Sequence, residues 1–477
     1  MPFLFKLNKK ARNIFTSFSY TFSSNLISLL ISTLIVLFVP KYLNLTEYGY
    51  WQLYMLYATY LGFFHFGLND GVYLRYGGMK YNDLNKITLF NQFLFLFLFQ
   101  IFISFLLNIF IGYFTIDTNK LMIFRFLSIS LILVNLNSML ILILQATNRM
   151  KEYSKILIFD RVTFALLIII FYFFNYHEFK FLMYADIAGK IIGLLMGIYY
   201  CKEIIFNKIT KFRIDIGETY KNFSVGISLM IANVASMLII GAVRFITEMS
   251  WGIDVFGKIS FSLSVTNLIM IFINTMGIVI FPLLKRTTNT NQIVIYRSLK
   301  NILSIVSLAL LLLYYPLFYI LSIWLPQYTE SLKYMILVIP VIIYQAKIGL
   351  LINPFYKSLR KEKTLLYINV FVLLITIALA LFSAFILKNV YVTILIIPSA
   401  LFIKSLLTEI ILQNTFKEKF YMDTILETIM VVTFVYFTWY FYNIIPIIIY
   451  LSAYIIFLII KRKDFKKTYF ELSELLR

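Results

Sequence analysis

Long uncharged apolar runs recur along this chain and restrict it to folds that are built inside a lipid bilayer. A helix needs about 20 apolar residues to cross the hydrocarbon core of a membrane. Hydrophobic residues make up 61% of the 477 residues, which is typical of multispanning membrane proteins and excludes an ordinary soluble domain. Four of the uncharged runs are residues 17–39, 87–116, 126–148 and 301–329.

Division of the sequence at its charged loops predicts an all-α integral membrane fold with about 14 transmembrane helices. The last uncharged run, residues 428–460, is too long for one helix. Asn443 and Pro446 offer a break within it, because Pro removes a backbone donor and disfavours helix before it. The predicted helices are residues 17–39, 50–70, 87–112, 121–145, 155–175, 181–201, 223–244, 256–283, 301–323, 332–353, 364–387, 389–413, 424–442 and 446–461.

The basic residues are distributed unequally between the two sets of alternating loops. Of the 43 Lys and Arg, 31 lie in the segments of one side and eight in those of the other. Because Lys and Arg hold loops in the cytoplasm, this asymmetry predicts that both termini are cytoplasmic. The formal charge of +21 is then topogenic and does not indicate a nucleic-acid partner, since a nucleic-acid-binding protein would gather its charge on a soluble face.

Weak matches at a nearly constant offset indicate an internal duplication of six helices. Two six-helix halves would enter the membrane in the same sense and be related by an axis near its normal, a known way to build a transporter. The matched pairs are Gly49 with Gly257, Gly67 with Gly277 and Arg149 with Arg360, at offsets of 208, 210 and 211 residues.

Three domains follow from the duplication. Residues 1–222 form an N-lobe of helices 1–6 with a basic linker at 202–221, and residues 223–421 form a C-lobe of helices 7–12. Residues 422–477 hold helices 13 and 14 and a basic cytoplasmic tail.

Charged residues within the predicted spans are the candidate functional groups. A charge at the centre of a span costs about 2.5–3.5 kcal/mol on the insertion scale, so it usually faces a cavity or a partner. The basic candidates would form a path for an anion such as a diphosphate, and the acidic ones would balance them or carry a coupling cation. The basic candidates are Arg75, Arg161, Lys190, Lys347 and Lys404, and the acidic ones are Asp70, Asp160, Asp186, Glu248 and Glu409.

Structural alternatives stay open for several of these residues. Asp160 and Arg161 fit an interfacial position equally well. Asp186 and Lys190 are four residues apart and can neutralise each other on one helix face. Lys347 has no carboxylate in its own helix, which favours a position beside a cavity. Pro340 is the proline best placed to kink a helix interior.

Catalytic and metal-binding patterns are absent from the sequence. The single cysteine, Cys201, excludes an intramolecular disulfide, and His65 and His177 are far apart with no cysteine near them. No phosphate-binding glycine loop or nucleophile elbow is present. We therefore expect no enzymatic activity and no cofactor, with coupling to H+, Na+ or the membrane potential left open.

Five short motifs, spread from helix 1 to helix 11, carry a family resemblance. They are PKYLNLTEYG at 40–49 with Trp51, FGL at 66–68 with Arg75, QA at 145–146 with Arg149 and YS at 153–154, LPQY at 325–328, and NPFY at 353–356. The set resembles the bacterial polysaccharide flippases, which move O-antigen or capsule repeat units and belong to the multidrug/oligosaccharidyl-lipid/polysaccharide exporter superfamily.

The resemblance implies a fold similar to that of the lipid II flippase and of multidrug and toxic compound extruders, with 12 core helices in two lobes around an alternating-access cavity. The implied cargo is an undecaprenyl-diphosphate-linked oligosaccharide, moved from the cytoplasmic to the periplasmic leaflet of the bacterial inner membrane. Polysaccharide polymerase machinery is an implied partner. Family members often carry an acidic–basic pair late in helix 7. Here that place has only Arg244, so the acid is missing unless Glu248 or Asp254 replaces it.

Two other functions compete with the flippase. A cation-coupled drug or metabolite extruder of the same fold should have a cavity dominated by carboxylates, whereas here the intramembrane basic residues slightly outnumber the buried acids. A polysaccharide polymerase or lipid-linked glycosyltransferase needs a long outer loop, and the outer segments here are short. If Lys347 binds the diphosphate, its neutral replacement should reduce transport without loss of protein from the membrane.

Overall fold

The computed structural model describes residues 26–27, 29–114, 117–206, 216–285, 289–416, 421–441 and 443–475. Throughout these residues the regular structure is helical, which confirms the predicted all-α fold. The chain divides into two compact units, Met1–Val234 and Ala235–Arg477. The three predicted domains, with boundaries at 222 and 421, stay a prediction.

Within the described residues, unit 1 is built from eight helices and the beginning of a ninth. A short 3₁₀ turn, Tyr81–Asp83, lies between the third and fourth. The helices are α1 (Leu29–Tyr42), α2 (Leu45–Leu61), α3 (Leu68–Tyr76), α4 (Lys86–Phe114), α5 (Thr118–Ala146), α6 (Met150–Phe173), α7 (Phe179–Tyr200), α8 (Lys202–Ile205) and α9 (Ile216–Lys285).

Unit 2 holds the rest of α9 and the remaining helices. Its helices are α10 (Asn289–Leu311), α11 (Tyr314–Trp324), α12 (Thr329–Val338), α13 (Val341–Ala346), α14 (Asn353–Ser358), α15 (Glu362–Leu381), α16 (Val390–Phe416), α17 (Tyr421–Tyr440) and α18 (Ile445–Leu475). One turn of π-helix, Lys347–Ile352, joins α13 to α14, and another, Phe382–Ile386, ends α15.

Ten helices within the described residues are long and apolar enough to cross a membrane, and an eleventh results if one bent pair counts as a single span. Large hydrophobic side chains such as Phe105, Leu166 and Ile456 are exposed on these helices, as lipid-facing residues are. The protein is therefore a multi-pass membrane protein. The predicted total of about 14 spans stays a prediction, since α9 alone carries a 54-residue apolar stretch with a break at Gly252, where φ is 78°.

The predicted helix 50–70 is broken in the structure. α2 ends at Leu61, and α3 begins only at Leu68, after Gly67 with φ of 90°. Buried side chains from other helices bind carbonyls at the break. Asn135 Nδ2 donates to the Leu61 carbonyl at 3.0 Å, and Gln100 Nε2 donates to the Phe64 carbonyl at 3.0 Å. A break inside a membrane is tolerated where neighbours satisfy the backbone in this way.

The predicted kink at Pro340 is confirmed. The segments Pro326–Val338 and Val341–Ser358 are bent by 51° relative to each other, with Pro340 at the break. The π-helical turn that starts at Lys347 follows seven residues later, and such turns often mark functional positions. We call residues 326–358 the bent helix.

The basic segment 202–221 was predicted to be a linker, and part of it is helical. α9 begins at Ile216, seven residues before the predicted start of helix 7 at 223. Lys221 therefore lies in its second turn. Residues 207–215 lie outside the described residues. At the other end, α17 stops at Tyr440 and α18 starts at Ile445, which confirms two helices in the final apolar run.

Candidate functional site: buried charges of the two units

Lys404 lies in the middle of α16 with 1% of its surface exposed. Its Nζ donates a hydrogen bond of 2.6 Å to the Ser236 hydroxyl on α9. Within the described part of the chain Lys404 forms no ion pair. A buried ammonium group with a neutral partner is energetically costly, so its environment is suited to receive an anion.

Four other charged side chains of unit 2 form a neutral cluster, which we call the buried quartet. Its members are Lys300 of α10, Lys347 of the bent helix, Glu409 of α16 and Glu427 of α17, each at most 2% exposed. Glu409 accepts from Lys300 Nζ at 2.9 Å and lies 3.0 Å from Lys347 Nζ. Lys347 also pairs with Glu427. The two positive and two negative charges cancel.

Hydroxyl groups complete the quartet. Ser304 of α10 donates to Glu427 Oε1, and Thr424 of α17 donates to Glu409 Oε2 at 3.3 Å. Buried ion pairs are stable when further hydrogen bonds satisfy their remaining lone pairs. The quartet therefore fastens α10, the bent helix, α16 and α17 together.

The quartet changes the interpretation of Lys347. The predicted span 332–353 holds no carboxylate, but two neighbouring helices provide one each. Glu427 was not among the predicted site residues. It is the last acid before the uncharged run 428–460, and a lysine buried in mid-span needs such a partner. The role of Lys347 in binding cargo stays a prediction.

In unit 1, Asp186 and Lys190 form the i,i+4 pair that their spacing allows. The Tyr54 hydroxyl donates to Asp186, and Lys190 Nζ lies 3.4 Å from both the Tyr54 hydroxyl and the Ser130 hydroxyl. This polar group joins α2, α5 and α7 in the interior of the unit.

Asp160 and Arg161 lie on α6 beside α7 and are partly buried. Glycines of α7 make room for Asp160: a Cβ added to Gly189 would lie 2.7 Å from the Asp160 carbonyl oxygen, and one added to Gly193 would lie 3.4 Å from the Asp160 Cβ. Since Gly189 adjoins Lys190 in the chain, Asp160 lies near the Asp186–Lys190 pair. Arg161 forms no ion pair within the described residues.

The remaining candidates lie at helix ends and breaks. Arg75 donates from Nη2 to Glu218 at 2.7 Å. Asp70 Oδ2 is 3.8 Å from Nε2 of buried His65. Arg244 of α9 donates to the Ser260 hydroxyl at 3.0 Å.

Glu248 follows Arg244 by one turn of α9 and is buried. Each unit thus gathers some of the predicted residues: Asp160, Asp186 and Lys190 in unit 1, and Lys347 and Glu409 in unit 2. The path of five basic residues stays a prediction.

A lipid II flippase, MurJ in an inward closed conformation, is similar to this chain over 94% of the chain and 99% of MurJ, with a TM-score of 0.66 and 14% identity. An inward-facing multidrug resistance transporter of the MATE family, in the MOP superfamily, is similar over 82% of this chain and 98% of its own, with a TM-score of 0.63 and 9% identity. The chain has the fold of MOP-superfamily transporters.

A third similar structure with the MOP-superfamily fold is a Pyrococcus furiosus transporter described as having a binding pocket of reverse polarity. It matches over 84% of this chain and 96% of its own, with a TM-score of 0.59 and 11% identity. The chain matches no protein-family model, and no curated protein matches it by sequence.

Proposed function

We propose that this protein is a flippase that moves a polyprenyl-diphosphate-linked oligosaccharide, an O-antigen or capsule repeat unit, from the cytoplasmic to the periplasmic leaflet of the bacterial inner membrane. It acts by alternating access, with both termini in the cytoplasm. The fold similarity to a lipid II flippase supports this class of cargo, and the outward apolar faces of the helices fit a lipid environment.

Lys404 is the observation that carries the proposal. It is a buried cation whose hydrogen-bond partner, Ser236, is neutral. A phosphate oxygen could supply the missing negative charge in a charge-assisted hydrogen bond. A site for cationic drugs would instead repel its ligand from this position. Lys404 is therefore the residue that we assign to the diphosphate.

The other intramembrane cations of the proposed path differ in whether a carboxylate already pairs with them. Lys190 and Lys347 are paired with carboxylates, so an anion would have to displace Asp186 or Glu409 and Glu427 to reach them. Arg161 has no carboxylate within ion-pair distance among the described residues and interacts with neighbouring Asp160 only at longer range. We rank Lys404 and Arg161 first as diphosphate ligands. Coupling to H+, Na+ or the membrane potential is a separate proposal, in which Asp160 and Asp186 carry the cation.

Complementation tests the proposal. The chain is expressed in a Gram-negative strain that lacks its own O-antigen flippase, and the surface lipopolysaccharide ladder is examined. We expect the ladder to return, to be lost with Lys404→Gln and to be partly retained with Lys404→Arg, which keeps the charge. Lys363→Gln is the matched control, because Lys363 is exposed at the start of α15. A full ladder with Lys404→Gln at equal protein amount would remove the main support for an anionic cargo.

An extruder of the same fold is the second candidate, and an apolar cavity favours it. This cavity of about 600 Å³ in unit 2 is lined by aromatic residues that include Tyr344, Phe402 and Trp439. Such a lining suits flat apolar molecules. Increased drug resistance of the complemented cells, with no ladder, would favour the extruder over the flippase.

A further inference from the structure

The start of α9 packs against α3 with backbone against backbone. A Cβ added to Gly71 would lie 2.0 Å from the Asn222 carbonyl oxygen, and one added to Gly226 would lie 1.9 Å from the Gly67 carbonyl oxygen. No side chain fits at either distance, so only glycine permits this approach. The spacing of Gly67 and Gly71 is the small-xxx-small pattern of close helix contacts in membranes. We call this contact the glycine seam.

Polar contacts hold the glycine seam at one end. Arg75 of α3 donates from Nη2 to Glu218 at 2.7 Å and from Nη1 to Asn222 at 2.6 Å. Gln92 of α4 donates to the Thr219 hydroxyl at 3.0 Å. Glu218, Thr219 and Asn222 all belong to the first two turns of α9, so these turns are bound to both α3 and α4.

The composition of the seam suits a contact that opens. Glycine surfaces are smooth and have no interlocking side chains to separate. The ion pair is about a quarter exposed, with side-chain exposures of 27% for Arg75 and 23% for Glu218, so water can replace each partner when the pair breaks. The buried quartet of unit 2 differs in this respect, because breaking its ion pairs would leave unpaired charges in an apolar interior.

The glycine seam lies at the start of a helix that both units share. α9 starts in unit 1 and continues past Val234 into unit 2. Any displacement of its first turns away from α3 therefore acts on a helix that belongs to both units. The loop charges predict that this end of the protein faces the cytoplasm.

We propose that the glycine seam is a latch that parts and re-forms on the cytoplasmic side, with Arg75 as the residue that holds it shut. This inference rests on the proposed transport function for its purpose, but its test requires no cargo. In the closed state Thr219 is 7% exposed, and in the parted state it faces water.

Cysteine labelling in membrane vesicles tests the latch. Cys201 is replaced by Ala, Thr219 by Cys, and inside-out vesicles are treated with a membrane-impermeant maleimide. The reference is the native chain, in which Cys201 is buried, with both rates normalised to those in SDS. We expect the cysteine at 219 to react about tenfold faster than Cys201, or more. Arg75→Gln should raise the labelling rate at 219 about tenfold further, which corresponds to a loss of about 1.4 kcal/mol in the free energy that favours the closed seam.

Glycine variants provide a matched pair. Gly71→Ala should raise the labelling rate at 219, because its Cβ cannot fit against Asn222. Gly62→Ala should not, because its Cβ would lie 3.9 Å from Val134, an ordinary contact. The exchange of Arg75→Glu with Glu218→Arg restores an ion pair but loses the hydrogen bond to Asn222 and the pair of Glu218 with Lys221, so it should slow the labelling only in part.

Two results would overturn the latch. One is a cysteine at 219 in the otherwise native seam that labels no faster than Cys201, which would make the seam static. The other is an unchanged rate in both Arg75→Gln and Gly71→Ala. The comparison of the cysteine at 219 with Cys201 involves no change to the seam glycines or to Arg75. It therefore tests whether the seam opens even if the Arg75 and Gly71 variants unfold. Failure of complementation would bear on the cargo and leave these rates unaffected.

Discussion

Lys347 of the bent helix and Glu427 of α17 form a buried ion pair. The two residues are 80 positions apart, and Glu427 lies outside the six-helix repeat that the sequence predicts. The pair therefore makes α17 part of the charge balance of the other helices of unit 2. The last helix, α18, is also joined to α10 by polar contacts. Tyr450 donates to the Leu308 carbonyl at 2.9 Å, and Asn301 donates to Thr468 at 3.0 Å.

Breaking the quartet should destabilise the protein more than removing a complete pair from it. Lys347→Met leaves the cluster with an excess negative charge, and Glu427→Met leaves an excess positive charge; each should cost about 3–5 kcal/mol. The double variant retains the balanced Lys300–Glu409 pair and should recover most of that loss. Thermal melting of the detergent-purified native protein, the two single variants and the double variant measures these losses. A double variant as unstable as the sum of the single variants would contradict the coupling.

The quartet also revises the outcome expected for Lys347 in transport assays. Sequence reasoning predicts reduced transport at an unchanged amount of protein, whereas the ion pairs predict that the amount of protein in the membrane falls as well. Immunoblots of membranes from cells expressing Lys347→Met, with Lys363→Met as the control, separate the two. An unchanged amount in the membrane would favour the original prediction of a cargo-binding lysine.

The contact of α6 with α7 should not tolerate a side chain at Gly189. A Cβ there would lie 2.7 Å from the Asp160 carbonyl oxygen, so the helices must move apart. We expect Gly189→Ala to cost about 1–3 kcal/mol, the usual range for overpacking, and to lower the melting temperature. Gly62→Ala, whose Cβ would lie at an ordinary distance of 3.9 Å from Val134, should have little effect. Equal melting temperatures for the two variants would refute the assigned contact.

Cys201 should resist thiol reagents in the folded protein. It directly follows the apolar span Phe179–Tyr200, and its burial raises the pKa of the thiol to about 12. Because only the thiolate reacts, the reactive fraction at pH 8 is far below that of an ordinary cysteine and grows only as the pH approaches this value. Maleimide modification followed by mass measurement should be negligible in native membranes and complete in SDS. Rapid native modification at pH 8 would disprove this environment.

The turn between α17 and α18 should face the periplasm if the charge rule holds. Asn443 is exposed in that turn, and Lys463 is exposed near the far end of the apolar part of α18. In the Cys201→Ala background, a cysteine at 443 should react with an impermeant maleimide in right-side-out spheroplasts. A cysteine at 463 should react only in inside-out vesicles. The reverse pattern would invert the predicted topology.

The sequence was sufficient for features that depend on local chemistry. Apolar run length predicted the all-α membrane fold, Pro340 predicted the bend of 51°, and Asn443 with Pro446 predicted the break before α18. The Asp186–Lys190 pair also follows from spacing alone, since residues four apart share a helix face.

Tertiary structure decided which helices are neighbours, and with that the partner of each buried charge. Glu427 joins Lys347, and Gly71 meets Asn222, through contacts between residues far apart in the chain, which no periodicity encodes. The break after Leu61 is stabilised by Asn135 and Gln100, which donate to its carbonyls from other helices. A buried charge or an open carbonyl must be satisfied somewhere, so the sequence by itself determined that partners were needed, and only the packing of the helices determined which residues supply them.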